Sequence, residues 1–396
     1  MMAARTRRHK SYDKQTNWIK LRKNIRMAIY LFLFVFCIII SRIGDRSFNH
    51  RTKVICITII IFAMSIVGGV RDIGVGTDTE IYTEHYFQLS RYISSISDII
   101  KEGIECDRGY LVLNWFSHLL GDKPQSALFL SQLFTLGPIF SATYKISNHI
   151  GAKEITSFTI LFCFMYYNMT YNYMRQFCAL SLLIWGLYYI VKNKWWHYVA
   201  IQILAYFFHT SSVIFIVVAV FYIIVYKIEN KKMRMIFIIC VISVPILFSL
   251  MFYTLLPYFM NSGLVTEVYA ERYGTGSEYD SGGGLGIRKS IIDMTMLVVI
   301  FLNRKVVGMK CFQFQLVLFI SYFAISLLSI YVVYLSRLSF YFSLPLLIYF
   351  ASNISLSKRK MLAYLYFAII TVEWYIMYIK ANNCETYPYK STLLGI

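Results

Sequence analysis

Residues 311–336 read CFQFQLVLFISYFAISLLSIYVVYLS, a run of 26 residues without a charged side chain. About 20 apolar residues are enough for a helix to cross the hydrocarbon core of a bilayer, so this run predicts a membrane-spanning helix. Similar runs recur along the whole chain, and residues 236–256 form another that carries no charge. The sequence therefore predicts an all-α, polytopic membrane protein.

The apolar runs predict about 11 to 13 helices, with boundaries good to a few residues. Residues 109–120 form a run too short for a perpendicular span, which predicts a re-entrant or interfacial helix. The predicted segments lie at roughly 27–41, 54–70, 109–120, 125–144, 155–174, 176–191, 197–209, 211–226, 235–257, 290–302, 311–335, 337–355 and 361–379.

The composition supports the same class of protein. Of the 396 residues, 58% are hydrophobic and 15% are charged, and the formal net charge is +19. An ordinary soluble domain carries about 25% charged residues. These values disfavour a cytosolic enzyme, a disordered chain and a coiled coil. The basic residues lie in short connectors such as 227–234 and 356–360, which is the positive-inside pattern of membrane proteins and not a nucleic-acid-binding pattern.

The chain divides into three predicted parts. Residues 1–26 carry nine basic residues and one acid, which predicts a basic tail that touches anionic membrane lipid. Residues 27–380 form the polytopic domain, and residues 381–396 form a C-terminal tail. Placing the basic connectors in the cytoplasm puts two loops, 70–108 and 258–289, on the outer side, provided that 109–120 does not cross.

One conflict remains in this predicted topology. The basic tail and the basic connector 42–53 both favour the cytoplasm, but a single crossing at 27–41 separates them. Either the tail lies outside, or 27–41 does not cross fully.

Several polar residues lie at predicted outer helix ends, where the positive-inside rule does not place cations. Arginine presents a rigid fork of donors that suits phosphate, and tyrosine rings suit sugars. A lipid-linked sugar diphosphate offers both groups at a membrane surface. The four arginines in question are Arg71, Arg175, Arg272 and Arg337.

These residues fall into short clusters, each with a structural alternative. The stretch 71–78, RDIGVGTD, followed by Tyr82, also fits a capped turn. Asn168 and Asn172 lie on one predicted helical face with Arg175, and they also fit interhelical hydrogen bonds. The remaining clusters are Asp107 to Tyr110, His209 to Ser211, Tyr269 to Tyr273, and Arg337 with Tyr341. A lone histidine such as His209 also fits a satisfied polar residue at a helix end.

Together these clusters resemble the EpsG family of bacterial polysaccharide polymerases, which is related in role to the Wzy O-antigen and capsule polymerases. The likeness covers roughly residues 27–380 and depends on the order and spacing of the clusters. Family members typically have glutamate before the Gly-Tyr pair, whereas this chain has Asp107.

The resemblance implies a multi-span glycosyltransferase of the GT-C type in the bacterial inner membrane, with its active site facing the periplasm or cell exterior. The implied reaction transfers a growing glycan from undecaprenyl diphosphate to the sugar of a lipid-linked oligosaccharide repeat unit. A chain-length regulator is a further candidate partner. Nucleic acid is not expected as a partner.

The following residues are predicted to carry this activity. Arg175 and Arg337, helped by Arg71, would hold the diphosphate, and Asp78 or, second, Asp107 would accept the proton of the attacking hydroxyl. His209 would be a competing base or a diphosphate ligand. The other predicted substrate-binding residues are Arg272, Asn172, Gln176, Tyr82, Tyr110, Tyr273 and Tyr341. The sequence shows no metal-ligand pattern, so a metal-independent reaction without a cofactor is expected.

Three other functions compete with this interpretation. A flippase or transporter of the lipid-linked oligosaccharide would also need outward cations, but such proteins bind near mid-bilayer and are built from repeated halves. An O-antigen ligase would use the same donor and a different acceptor. A membrane scaffold would leave the outward arginines unexplained.

Overall fold

The structure is a computed structural model, and it describes residues 27–101, 107–240, 243, 287–329 and 335–396. These residues form helices and connecting turns, and no strand occurs among them. The predicted all-α class is therefore confirmed. The predicted basic tail, 1–26, lies outside the described residues, as does most of the predicted loop 258–289.

The described helices follow one another closely along the chain. They are α1 Met27–Arg46, α2 His50–Gly69, α3 His85–Ser90, α4 Ile96–Lys101, α5 Arg108–Ser117, α6 Pro124–Ile150, α7 Thr156–Met165, α8 Met174–Val191, α9 Trp195–Phe208, α10 Phe215–Lys227, α11 Ile287–Leu302, α12 Arg304–Val307, α13 Met309–Leu328, α14 Leu335–Leu338, α15 Phe340–Leu356 and α16 Lys360–Trp374. Short π- or 3₁₀-helical segments occur at Thr79–Glu84, Tyr167–Tyr171, Thr210–Ile214, Tyr375–Lys380 and Asn383–Glu385.

Within the described residues, eight helical segments are long and apolar enough to cross a membrane. Each of them coincides with a run that the sequence predicted as apolar, so the polytopic membrane class is confirmed. The ten-residue α5 is not among the eight, which agrees with the prediction that 109–120 is too short to span. The eight segments are Met27–Arg46, His50–Gly69, Pro124–Ile150, Met174–Val191, Thr210–Lys227, Met309–Leu328, Leu335–Leu356 and Lys360–Lys380.

The chain forms two compact units. The first unit contains residues 1–141, 159–181 and 371–396, and the second contains 142–158 and 182–370. We describe each unit separately.

The core of the first unit is an aromatic cluster. Tyr30 packs edge-on against Tyr167, Tyr389 and Trp374, with ring centroids 5.6 to 6.5 Å apart. Burial of a tyrosine hydroxyl is costly unless the group is hydrogen-bonded. The hydroxyl of Tyr167 donates to the carbonyl of Met64 at 2.7 Å, and that of Tyr389 donates to Val67 at 2.7 Å. The cluster therefore fastens α2 to the segment that precedes α8.

In the second unit, α15 is buried along nearly its whole length and packs against α13. Phe314 and Tyr349 meet with ring centroids 5.0 Å apart. One pair of buried polar side chains meets between these helices, as is common where water is scarce. Asn353 Nδ2 donates to Gln315 Oε1 at 3.1 Å, so one hydrogen bond links the start of α13 to the last turns of α15.

The end of α2 contacts α6 at a pair of glycines. A Cβ atom at Gly69 would lie 2.5 Å from the Cβ and 2.6 Å from the Cα of Phe129, and a Cβ atom at Gly68 would lie 2.7 Å from Gln132 Cγ. Because the Gly69 contact involves backbone, no side-chain rotation relieves it. The glycines therefore set the approach of the two helices.

We expect Gly69→Ala to lower the free energy of unfolding by about 1–3 kcal/mol, because overpacking forces the helices apart. Gly137→Ala on α6 is the matched control, since a Cβ there meets nothing within 4 Å and alanine favours helix. Thermal unfolding of the purified protein in detergent measures both changes. Equal midpoints for the two variants would contradict the close approach of α2 and α6.

Candidate functional site

Among the described residues of the first unit, Arg71 is the most deeply buried charge; it lies just beyond the end of α2 and has no exposed surface. Its Nε donates to the carbonyl of Val75 at 3.2 Å, and Nη2 donates to that of Tyr171 at 3.3 Å. Nη1 donates to the carbonyl of Gly68. The guanidinium carbon also lies 4.0 Å from the centroid of the Tyr171 ring. One side chain thus joins the end of α2, the turn that follows it and the segment before α8.

The turn after α2 depends on Gly76. This residue has a φ of +107°, a region that suits glycine, and its N–H donates to the carbonyl of Glu385 at 3.0 Å. A Cβ atom at Gly76 would lie 2.6 Å from Asn172 Oδ1 and 2.8 Å from Thr79 Oγ1. Backbone conformation and lack of space therefore both require glycine here.

A π-helix, Thr79–Glu84, leads from this turn into α3. π-helical turns are rare and are often found at functional sites. The rings of Tyr82 and Tyr86 stack, with centroids 6.4 Å apart and an interplanar angle of 19°. On the inner side, Thr83 Oγ1 shares a 2.8 Å hydrogen bond with the hydroxyl of Tyr110. The π-helix therefore has a tyrosine-covered side and a side anchored to α5.

Arg175, in the first turn of α8, meets the tyrosine-covered side. Its guanidinium carbon lies 3.8 Å from the centroid of the Tyr82 ring, and Nη1 donates to Asp107 Oδ2 at 2.6 Å. Asp107 directly precedes α5. The side chains of Arg175 and Asp107 are 20% and 15% exposed, so both charges reach the surface of the first unit. Arginine, carboxylate and aromatic ring thus lie together at one accessible place.

The environment of Asp107 affects its acidity. Burial raises the pKa of this carboxyl above its ordinary value, and the nearby Arg175 guanidinium opposes that rise through its charge and its hydrogen bond. A carboxylate whose pKa is raised is a better proton acceptor than a free one.

The sulfur of Met174 links Arg71 to the π-helix and α5. Its Sδ accepts from Arg71 Nη2 at 3.5 Å, from Thr83 Oγ1 at 3.3 Å and from the Tyr110 hydroxyl at 3.7 Å. Arg71 is fully buried here, whereas Arg175 contacts Asp107 and Tyr82 and is partly exposed.

The C-terminal segment, defined here as residues 382–396, packs onto the same region. Asn172 Nδ2 donates to the carbonyl of Cys384 at 2.8 Å, and Asn168 Nδ2 donates to Thr386 Oγ1 at 2.9 Å. The sequence predicted a tail at 381–396. In the structure these residues are tied to the first unit by side chains that the sequence had marked as polar.

The same segment also holds the turn after α2. The backbone N–H of Asp72 donates to the carbonyl of Lys390 at 2.9 Å. In return, the backbone N–H and the hydroxyl of Thr392 donate to Asp72 Oδ1 at 2.8 and 2.9 Å. Arg71 and the C-terminal segment therefore both support this turn.

The structure brings together six predicted site residues in the first unit: Arg71, Tyr82, Asp107, Tyr110, Asn172 and Arg175. Of these, Arg71, Tyr110 and Asn172 are buried and bonded within the unit, which fits a structural role better than contact with a ligand. Asp78 begins the π-helix and is partly exposed, and Gln176 is buried in α8.

The predicted common face of Asn168, Asn172 and Arg175 is wrong in one respect. The chain leaves the α-helix after α7 and forms a 3₁₀ segment, Tyr167–Tyr171, before α8 begins. Both asparagines reach the C-terminal segment, but Arg175 reaches Asp107 instead. The alternative of hydrogen bonding between segments describes the asparagines correctly.

The second unit brings together two other predicted residues. His209 Nδ1 lies 2.7 Å from Ser211 Oγ, which in turn lies 2.9 Å from the buried hydroxyl of Tyr341. Arg337 lies in the short α14 and is partly exposed. Arg272 and Tyr273 lie outside the described residues, as does Tyr269.

Sequence reasoning missed a polar group in the second unit. Asp293 lies in α11, where it is 1% exposed and accepts a 2.9 Å hydrogen bond from Tyr322. Lys289 precedes it by four residues. A lysine and an aspartate one turn apart at the start of an apolar run were the available signal, because ionisable groups in such runs are costly and usually functional.

The EpsG family model matches residues 54–391, which is most of the chain. The chain belongs to the EpsG family. This family is associated with polysaccharide polymerase-like proteins, so the predicted resemblance is confirmed. Neither the curated proteins nor the solved structures gave a match.

EpsG membership supports a general role in polysaccharide biosynthesis of a glycosyltransferase-like kind. Among the residues that the structure describes, no three His, Cys, Asp or Glu side chains lie close enough to hold a metal ion. The metal independence of the reaction stays a prediction.

Arg71→Lys should lower the free energy of unfolding by at least about 2 kcal/mol, because a single ammonium cannot serve three carbonyls in different directions. Arg91→Lys is the control. Arg91 is exposed, and among the described residues its guanidinium donates to one carbonyl, that of Asp122. Thermal unfolding in detergent measures both. An Arg71→Lys protein as stable as the control would contradict the structural role of Arg71.

Proposed function

We propose that this EpsG-family protein is a polysaccharide repeat-unit polymerase of the bacterial inner membrane. It transfers the growing glycan from undecaprenyl diphosphate to a lipid-linked repeat unit at the outer face of the membrane. The observation that carries this proposal is the cluster of Arg175, Asp107 and Tyr82 at an accessible place in the first unit. Family membership supports the polymerase class.

Arg175 is the residue that binds the diphosphate. Its planar fork can make two parallel hydrogen bonds to phosphate oxygens, and its position over the Tyr82 ring restricts its orientation. Negative charge builds up on the diphosphate as its bond to the sugar breaks. A fixed cation stabilises that charge more in the transition state than in the ground state, which is the requirement for catalysis.

Asp107 is the base. When Arg175 turns one of its donors to the diphosphate, the carboxylate loses a partner and becomes available to the acceptor hydroxyl. The hydroxyl oxygen forms a bond to the anomeric carbon, and its proton passes to Asp107. The bond between the anomeric carbon and the diphosphate oxygen breaks, and its electron pair leaves with undecaprenyl diphosphate.

The remaining predicted residues divide by their surroundings. Tyr82 offers a partly exposed ring on which a sugar can pack, beside the ion pair of Arg175 and Asp107. Arg71 acts indirectly, because it holds the turn that leads to the π-helix. Asp78, the first choice from the sequence, lies at the N-cap of the π-helix and is the alternative base; Asp107 is preferred because it pairs with Arg175. The roles of Arg337, His209, Arg272 and Tyr273 stay predictions.

Arg175→Gln should lower the yield of long polymer about 100-fold or more, because the variant cannot neutralise the leaving diphosphate. Arg175→Lys keeps the charge without the fork and should recover only part of the yield. Polymer length on gels and the amount of protein in the membrane are the measurements. Arg91→Gln, an exposed arginine of the same unit, is the matched control.

In the same cells, a polymerase defect predicts an excess of single-unit carrier lipid on the outer side of the membrane. An excess on the inner side would indicate a flippase instead. Polymer of normal length from cells with a normal amount of the Arg175→Gln protein would contradict the binding of diphosphate by Arg175.

The rate of polymerisation should fall as the pH is lowered through the pKa of Asp107. A carboxylate accepts a proton only when it is ionised, so activity is present above this pKa and is lost below it. Because burial raises the pKa, the fall should begin above the ordinary carboxyl range of about pH 4. Asp107→Asn should lose about 100-fold in rate, and its residual rate should lack this dependence. A wild-type rate that stays constant down to about pH 4 would exclude Asp107 as the base.

A further inference from the structure

The second unit contains a polar cluster that the proposed mechanism does not use. Lys289 and Asp293 lie one turn apart on α11, and Tyr322 and Ser326 lie one turn apart on α13. Asp293 Oδ1 accepts from the Tyr322 hydroxyl at 2.9 Å, and Lys289 Nζ donates to Ser326 Oγ at 3.1 Å. The same Nζ lies 5.4 Å from the centroid of the Tyr322 ring.

One oxygen of this cluster is unpartnered. Asp293 is 1% exposed, and its Oδ2 finds no hydrogen-bond partner among the residues that the structure describes. The charge of Lys289 favours the carboxylate from one turn away. Its ammonium gives Oδ2 no hydrogen bond or salt bridge among the described contacts, and it reaches Ser326 and the Tyr322 ring instead. A buried carboxylate oxygen without a donor is costly, and such groups in membrane proteins usually mark function.

The chemistry of the cluster selects its ligand. An anion such as phosphate would be repelled by Asp293, and an apolar group would leave Oδ2 unpartnered. A hydroxyl group suits both charged side chains, since it can donate to the Asp293 carboxylate and accept from the Lys289 ammonium. Two neighbouring hydroxyls, as on a sugar ring, would serve Asp293 and Lys289 together.

We propose that Lys289, Asp293 and Tyr322 form a saccharide-binding site in the second unit that takes neighbouring hydroxyl groups of a sugar. The identity of that sugar as part of the repeat unit rests on the proposed function. The site recognises the neutral, hydroxyl-rich part of the substrate, whereas Arg175 recognises its anionic part.

Asp293→Asn tests this site directly. The substitution keeps an Oδ1 acceptor for Tyr322 and replaces the unpartnered oxygen with an N–H donor, so the ligand hydroxyl loses its acceptor. Lys289→Gln tests the ammonium. Thr295→Val is the control, because Thr295 lies on the same helix and its hydroxyl bonds only its own backbone neighbour, Ile291, among the described contacts.

The probe is the lipid-linked repeat unit extracted from cells that lack the protein, together with the free saccharide released from it. Binding of the free saccharide to purified protein in nanodiscs is measured by calorimetry, and the initial rate is measured against the concentration of the lipid-linked unit. We expect Asp293→Asn to weaken saccharide binding about 10- to 100-fold and to raise KM by a similar factor, as expected for hydrogen bonds to charged groups. Its kcat should stay within about threefold of that of the Thr295→Val protein.

Unchanged saccharide binding in both Asp293→Asn and Lys289→Gln would overturn the proposed site. If Asp293→Asn does not fold, Lys289→Gln decides alone: tighter or equal binding overturns the site, and weaker binding with unchanged kcat supports it. The proposed function fails separately, when cells that lack the protein accumulate no lipid-linked repeat unit. In that case the wild-type protein is tested with the free saccharide of the cells' own surface polymer, and absence of binding rejects the site.

Discussion

The first unit depends on the burial of one guanidinium group. Arg71 has no contact with solvent, so its charge must be met by protein atoms. Carbonyls from three segments of the chain meet it, and the Tyr171 ring covers it. Those carbonyls are available because α2 ends just before Arg71 and because the chain leaves the α-helix before α8. Arg71, the turn after α2 and the 3₁₀ segment therefore stabilise one another.

The contrast between Arg71 and Arg175 shows how similar side chains receive different roles. Arg71 is buried, with its donors directed to backbone carbonyls and to the sulfur of Met174. Arg175 lies at the surface with a carboxylate that a stronger anion can replace. We propose that Arg175, held beside the Tyr82 ring, binds a diphosphate, because a preorganised cation needs little reorganisation as the leaving group gains charge.

The sequence predicted the class of fold well, because apolar runs of bilayer length leave little choice of structure. It also placed Arg71, Asp107, Arg175 and Tyr82 in one predicted site, and the structure brings these residues into one region of the first unit. It could not predict which arginine is buried, since that depends on the Tyr171 carbonyl and on a 3₁₀ segment that interrupts an apolar run. The contacts of the C-terminal segment were also beyond prediction, because they join residues more than 200 positions apart and follow no local pattern.

We propose that this EpsG-family protein joins repeat units by displacing undecaprenyl diphosphate. Reconstitution of the purified protein in vesicles with one defined lipid-linked repeat unit and no other component tests this reaction. We expect a ladder of products that differ by one repeat unit, with one undecaprenyl diphosphate released for each new linkage. Movement of the lipid across the vesicle membrane without any ladder would contradict it.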